Sequence, residues 1–126
     1  MKPWPDVALT LINVAAGRAP ADTVITNGRW VNVHSGEIIP GTDVAIAAQR
    51  FAYVGPNAKS MMGKSTTVID AAGRYLVPGL CDGHMHVESG MVTVTEFARA
   101  VIPHGTTSIS LILTRLPMCW AWRAYG

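Results

Sequence analysis

The stretch VPGLCDGHMHVESG, residues 77–90, places two histidines one residue apart directly after an apolar run. Residues 80–87 have the length of a strand, and successive side chains of a strand project from opposite faces. One face would carry Leu80, Asp82, His84 and His86, and the other Cys81, Gly83, Met85 and Val87. The pattern predicts a strand with a polar, imidazole-bearing face and an apolar face.

Histidines at i and i+2 of a strand lie roughly 6–7 Å apart at the backbone, so both imidazoles can reach one cation. An arbitrary pair of this kind is more often two partly buried polar residues. Here the strand ends at the pair, Asp82 lies beneath it on the same face, and Pro78-Gly79 precedes it, which together favour a metal site. Catalytic sites usually have three protein ligands and an open position. Glu88 fits equally a further ligand, a substrate contact or a solvated loop carboxylate.

A helix and a second strand are predicted after the histidines. Thr93 and Glu96 have the spacing of a capping box. Apolar residues recur behind them at i, i+3, i+4 and i+7, at Val94, Phe97, Ala98 and Val101. Pro103-His104-Gly105 ends the helix, and the β-type run TTSISLIL follows. Residues 76–113 therefore predict a parallel βαβ unit.

The first 75 residues predict one helix and several strands. Residues 7–16 have helical spacing, with Asp6 as N-cap and Gly17 as the stop. Alternating β-branched runs within 22–38, 42–55 and 65–79 predict short antiparallel strands. Asn27-Gly28 fits either a hairpin turn or a bulge within one strand, and residues 47–49 fit a turn.

Composition narrows the class of protein. The chain has 126 residues, of which 49% are hydrophobic, and a net charge of +2 without a basic stripe. This argues against nucleic acid or an anionic membrane surface as partner. Cys81 and Cys119 lie in unrelated contexts, which argues against a disulfide framework, and no apolar run reaches ~20 residues. We expect a cytoplasmic protein that is neither secreted nor membrane-spanning.

Two stretches, VIDAAG at 68–73 and VPGLCDGHMH at 77–86, resemble the opening signature of the amidohydrolase superfamily. The continuation VESGM (87–91) and the earlier NVAAGRAPAD (13–22) are similar to the bacterial adenine deaminases. The resemblance implies an α/β fold, in which a small β-sandwich accompanies a metal-dependent (β/α)₈ barrel. The domains expected are a leading helix and connector (1–21), a β-sandwich segment (22–75), the incomplete start of the barrel with its first βαβ unit (76–109) and a tail (110–126).

The resemblance also implies a chemistry. His84 and His86 would bind a divalent metal, manganese or iron with zinc as an alternative, that activates water to attack C6 of adenine, giving hypoxanthine and ammonia. Glu88 would contact metal or substrate, and Asp82 would support a histidine from beneath. The substrate would be a small-molecule purine and the intact enzyme a homo-oligomer. We expect this chain to lack a complete catalytic set and to be inactive alone.

The tail SLILTRLPMCWAWRAYG (110–126) departs from the resemblance. In the family, the strand near Thr106 runs into a stretch like Asp-Pro-His-Glu-Ile-Ala-Asn-Val-Leu-Gly. Consider a shifted reading frame in which each codon consists of the third base of one codon and the first two bases of the next. In that frame residues 118–121 encode Val-Leu-Gly, whichever synonymous codons are used. The codons available for residues 111–117 also allow, without requiring, the preceding Asp-Pro-His-Glu-Ile-Ala-Asn. We therefore expect an out-of-frame tail after about residue 109.

Two other functions stay open from the sequence. The chain could belong to another cyclic amidohydrolase, such as a dihydroorotase or an imidazolonepropionase, although Glu88-Ser89 argues against these. It could instead be a noncatalytic β-domain that binds a partner chain.

Overall fold

The computed structural model describes residues 2–111 of the chain. Contacts divide the chain into two compact units, Met1–Val77 and Pro78–Gly126. Cys119 and the predicted out-of-frame tail, apart from its first two residues, lie outside the described residues. Within residues 2–111, no helix combines the length and apolar character needed to cross a lipid bilayer.

The first unit consists of one helix and one mixed sheet. Its elements are helix α1 (Trp4–Ala15), strands β1 (Thr23–Asn32), β2 (Glu37–Ala47) and β3 (Arg50–Gly55), a 3₁₀ turn (Lys59–Met61), and strands β4 (Thr67–Asp70) and β5 (Tyr75–Leu76). The strand order is β3-β2-β1-β4, and β5 also pairs with β1. These strands lie within residues 22–79, where the sequence predicts β structure.

Helix α1 begins earlier than predicted, and Asp6 is not its N-cap. The N-cap is Pro3, which makes no side-chain cap hydrogen bond, and a second proline lies in the first turn. Proline lacks a backbone N–H and has a helical φ, so it fits a helix start without a capping side chain. Asp6 lies in the first turn, where a carboxylate interacts favourably with the helix dipole. The predicted stop is confirmed, because Gly17 has a left-handed φ of +67°.

The prediction of antiparallel strands is right for β1–β3 and wrong for β4 and β5. β2 pairs antiparallel with both β1 and β3, whereas β4 and β5 run parallel to β1. Parallel pairing requires a crossover of a dozen or more residues, and β2, β3 and the 3₁₀ turn supply it here. Alternation identifies a strand but carries no information about the direction of its neighbour.

The Asn27-Gly28 pair forms a bulge within β1, not a hairpin turn. The β1–β2 register shifts between Ile25 and Gly28, and Asn27 has a φ of +56°. The Asn27 N–H donates to Asp43 Oδ1 at 3.0 Å, and its side-chain amide donates to Asp70 Oδ1 at 3.4 Å. The predicted turn near 47–49 is confirmed, with positive φ at Ala48 and Gln49.

The core of the first unit lies between α1 and the sheet. Val7, Leu11 and Val14 recur at i, i+4 and i+7, so one stripe of the helix faces inward. They join a buried cluster completed by Ala21, Val24, Ala45, Ala47, Ala58 and Met61. Because many of these side chains are small, the helix can lie close to the strands.

The second unit has the predicted strand–helix–strand order. Its elements are strand β6 (Leu80–Met85), a 3₁₀ turn (Val87–Gly90), helix α2 (Val94–Val101), another 3₁₀ turn (Ile102–His104) and strand β7 (Thr106–Leu111). β6 and β7 pair in parallel. The βαβ prediction is confirmed, and so is the cap of α2, where Thr93 Oγ1 accepts from the Glu96 N–H at 3.3 Å.

Candidate metal centre

Strand β6 carries the candidate site at its C-terminal end. Its N-terminal end is fixed to β7, since the Leu80 N–H donates to the Gly105 carbonyl at 2.8 Å. A Cβ at Gly79 would lie 2.0 Å from Thr107 Oγ1, so this glycine permits the two segments to approach closely. The C-terminal ends of parallel strands are where barrel enzymes place their chemistry.

The two histidines converge even though the strand is shorter than predicted. β6 ends at Met85, and the 3₁₀ turn begins at Val87, so His86 lies between the two elements. The Nε2 atoms of His84 and His86 are nevertheless 2.9 Å apart. Their rings meet edge to face, with centroids 4.8 Å apart. His86 lies one residue beyond the strand, and its imidazole is still on the same side of the chain as that of His84.

Asp82 supports this arrangement through the backbone. Its Oδ1 atom accepts a hydrogen bond from the His84 backbone N–H at 3.1 Å. The Asp82 carboxylate therefore restrains the main chain at His84. The sequence interpretation placed Asp82 beneath the pair but expected it to orient an imidazole.

Glu88 and the two other histidines of the chain lie in different places. Glu88 lies in the 3₁₀ turn Val87–Gly90, and its side chain is outside the described part of the structure. His34 is exposed, and its N–H donates to Asn32 Oδ1. His104 is exposed at the end of the turn that follows α2. Neither of these two histidines is part of the pair.

The separation of the two Nε2 atoms is close to that of two imidazole ligands on one transition-metal ion. Two nitrogen ligands at ~2.0–2.1 Å from a tetrahedral cation are separated by roughly 3.3 Å. The observed 2.9 Å is a few tenths of an ångström less, which small side-chain rotations can supply. Among the described side chains, no group of three or more His, Cys, Asp or Glu could hold a metal ion. Among the described residues, the pair brings two imidazole nitrogens together, and no third His, Cys, Asp or Glu side chain completes a group that could hold a metal ion.

The structure has an open groove between α2 and strand β7 that the sequence did not predict. It has a volume of about 220 Å³ and is lined by Val87, Val94, Phe97, Ala98, Val101, Ile102, Thr106, Thr107 and Ile109. No residue of α2 is buried, although its apolar stripe is the one predicted. The sequence identified this stripe but not what covers it.

The chain is similar in sequence to proteins named adenine deaminase. The chain is 74% identical over 108 residues to an adenine deaminase of Mesorhizobium japonicum, covering 86% of this chain and 18% of that protein. It is 69% identical over 109 residues to adenine deaminase 3 of Rhizobium meliloti, and 54% identical over 106 residues to an adenine deaminase of Rubrobacter xylanophilus, with 18% of each relative covered. No protein-family model matches the chain.

Several solved structures with a similar fold are named as hydrolytic enzymes. Molinate hydrolase matches 83% of this chain with a TM-score of 0.64 at 20% identity, over 27% of its own length. Phenylurea hydrolase B matches 81% with a TM-score of 0.57 at 22% identity, over 27% of its length. The L-hydantoinase of Arthrobacter aurescens matches 71% with a TM-score of 0.55 at 23% identity, over 20% of its length. At these identities the likeness establishes the fold alone.

The fold and the sequence relatives agree with the resemblance found in residues 68–91. The chain spans less than a fifth, 18%, of the length of the curated relatives that it matches. Over the segment that they share, this chain is similar in sequence to proteins named adenine deaminase, and its fold is similar to part of the fold of several hydrolase structures.

Proposed function

We propose that this chain is the N-terminal part of a metal-dependent adenine deaminase, and that His84 and His86 supply two of its metal ligands. The observation that carries the proposal is the 2.9 Å separation of the two Nε2 atoms at the end of a parallel strand. The identity of 74% over 108 residues to a protein named adenine deaminase supports adenine as substrate.

The reaction replaces the exocyclic amino group of adenine with oxygen. Water adds at C6, the amino group takes up a proton, and ammonia leaves to give hypoxanthine. A divalent cation bound at the pair would supply the Lewis acidity that lowers the pKa of its bound water toward about 7. Manganese or iron is the proposed cation and zinc the alternative, in an enzyme of cytoplasmic purine salvage that acts as a homo-oligomer.

The residues of this chain hold the ligands in place. Each imidazole must present an Nε2 lone pair to the cation, so the ring proton of each must reside on Nδ1. The hydrogen bond from the His84 N–H to Asp82 fixes the main chain under the first ring. Glu88 is proposed as a contact to metal or substrate, from the turn directly after His86.

Residues 1–126 alone are proposed to be inactive. Two imidazoles do not make a catalytic site, which needs at least one more ligand, a proton-transfer group and a purine pocket. Among the described side chains no third metal-ligating group joins the pair. We expect no loss of adenine absorbance with this chain alone, even after metal loading.

A chimera tests the proposed function. Residues 1–109 of this chain would replace the matching segment of the Mesorhizobium japonicum adenine deaminase. We expect adenine turnover within about tenfold of the parent enzyme, and a loss of at least ~100-fold after His84→Ala. His34→Ala, which changes an exposed histidine outside the pair, is the matched control. A folded, metal-loaded chimera without turnover, or an active His84→Ala chimera, would contradict the proposal.

A further inference from the structure

Strand β6 does not keep a regular register with β7 at its histidine-bearing end. Asp82 pairs with Ile109, and Met85 pairs with Leu111. β6 thus covers three residues over a length in which β7 covers two. One extra residue is accommodated between Asp82 and Met85, which is the pattern of a β-bulge. We call residues 82–85 the β6 bulge.

The β6 bulge bears on the direction of both imidazoles. Side chains alternate along a strand, so one extra residue moves every later side chain to the other face relative to the neighbouring strand. His84 lies within the bulge and His86 directly follows it. Bulges are frequent beside active sites, where they redirect a side chain. The side of the strand pair on which the two Nε2 atoms meet, 2.9 Å apart, therefore depends on this bulge.

The Asp82 carboxylate spans the β6 bulge. Its Oδ1 atom accepts from the His84 backbone N–H at 3.1 Å, so a donor within the irregular part of the strand has an acceptor. Packing restrains this segment little, because a Cβ added at Gly83 would meet nothing within 4 Å and the His84 side chain is exposed. The hydrogen bond from the His84 N–H to Asp82 is therefore a principal restraint on the bulge.

The geometry distinguishes this role from that of a metal ligand. Among the described side chains, Asp82 does not join His84 and His86 in a group of three that could hold a metal ion. Its contact runs through the His84 main chain. Such a contact requires an oxygen acceptor, which a neutral amide side chain also carries, and does not require a negative charge.

We infer that Asp82 is a positioning residue, whose side-chain oxygen holds the β6 bulge and thereby directs the His84 imidazole toward that of His86 before a cation binds. The inference rests on the proposed function only where it assigns the two imidazoles to a metal. Asparagine at position 82 should serve as well as aspartate, whereas alanine should release the bulge.

Metal-free residues 1–126 with Asp82→Ala or Asp82→Asn provide the test. NMR measures the hydrogen exchange of the His84 amide and the nuclear Overhauser effect between the two imidazoles. We expect Asp82→Ala to speed that exchange at least about threefold and to weaken the effect between the rings, and Asp82→Asn to retain both. Equal losses in the two variants, or no loss in Asp82→Ala, would overturn the inference.

Two controls show whether the effect is local. Asp70 Oδ1 accepts from the Ala72 N–H at 2.8 Å with the same spacing of two residues, so Asp70→Ala removes the same kind of hydrogen bond in the first unit. It should leave the His84 amide unchanged. The Leu80 N–H, which donates to the Gly105 carbonyl at 2.8 Å, reports whether the strand pair stays formed. Equally faster exchange at Leu80 in Asp82→Ala would indicate general unfolding and would overturn the inference.

Zinc binding separates this inference from the proposed function. Isothermal titration calorimetry should give a Zn²⁺ affinity at least about threefold weaker in Asp82→Ala and unchanged in Asp82→Asn. Equal weakening in both variants would mean that the charge of Asp82 matters, as in a ligand, and would overturn the inference. A ring contact that depends on Asp82, together with a Zn²⁺ affinity that His84→Ala does not change, would support positioning and count against the proposed metal site.

Discussion

The Nε2 atoms of His84 and His86 lie 2.9 Å apart, although strand β6 ends at Met85 between them. His86 follows the last ladder pair of the strand, Met85 with Leu111, by one residue. The pair thus lies between the end of the strand and the 3₁₀ turn. The hydrogen bond from the His84 N–H to Asp82 restrains the main chain there.

Metal binding by residues 1–126 should depend on this pair. We expect Zn²⁺ to bind weakly, and His84→Ala or His86→Ala to reduce the affinity by at least about tenfold, because a single imidazole remains. Isothermal titration calorimetry measures this directly. His34→Ala, at an exposed histidine outside the pair, should bind Zn²⁺ as the unchanged chain does. Unchanged affinity in both pair variants would show that the cation binds elsewhere.

The stability of the first unit should depend on the inner stripe of α1. Leu11→Ala removes a side chain that is 6% exposed and should lower the free energy of unfolding by about 2–5 kcal/mol. Leu9→Ala makes the same chemical change where the side chain is 69% exposed, and should stay within about 0.5 kcal/mol. Urea denaturation followed by circular dichroism gives both values. Similar losses in the two variants would mean that α1 does not pack as described.

The cap of α2 should be measurable by hydrogen exchange. Thr93→Ala removes the oxygen that accepts from the Glu96 N–H and should cost the helix about 1 kcal/mol. The Glu96 amide should then exchange roughly fivefold faster or more. Thr95→Ala, within the same turn but not at the cap, serves as the control. Unchanged exchange at Glu96 would argue that the cap contributes nothing.

The bulge in β1 should reject a side chain at Gly28. A Cβ there would lie 2.3 Å from Leu76 Cδ1 and 3.2 Å from the Thr42 carbonyl oxygen. We expect Gly28→Ala to destabilise the first unit by about 1–3 kcal/mol through overpacking. Leu76→Ala in the same chain should recover part of that loss, which thermal denaturation of the single and double variants can check. An absence of any recovery would place the clash with the backbone of β2.

Side-chain periodicity predicted local elements well and long-range pairing poorly. The α2 stripe and its Thr93 cap follow from spacing within one turn or two, and both are found. The parallel direction of β4 was missed because it depends on a crossover through β2 and β3. The start of α1 was misplaced because proline can begin a helix without a capping side chain.

The candidate site was predictable to the same extent. The i, i+2 spacing brought His84 and His86 to one side, as expected from strand geometry. The sequence did not reveal that Asp82 would accept a hydrogen bond from the His84 main chain, since side-chain alternation along a strand carries no information about such contacts. The open groove beside α2 could not be predicted either, because a stripe of apolar residues does not indicate which surface packs against it.

The parallel pairing of β4 and β5 with β1 bears on how the protein is made. The central strand of the sheet is among the first residues synthesised, but both strands on its far side are encoded after β3. During synthesis, β1 can therefore pair only on the β2 side until residue 76 has left the ribosome. We expect the later pairing of β4 and β5 with β1, which joins segments distant in sequence, to be the slow step of folding. Once β4 and β5 have paired, every described strand of this sheet has its partner, without any contribution from β6 or β7.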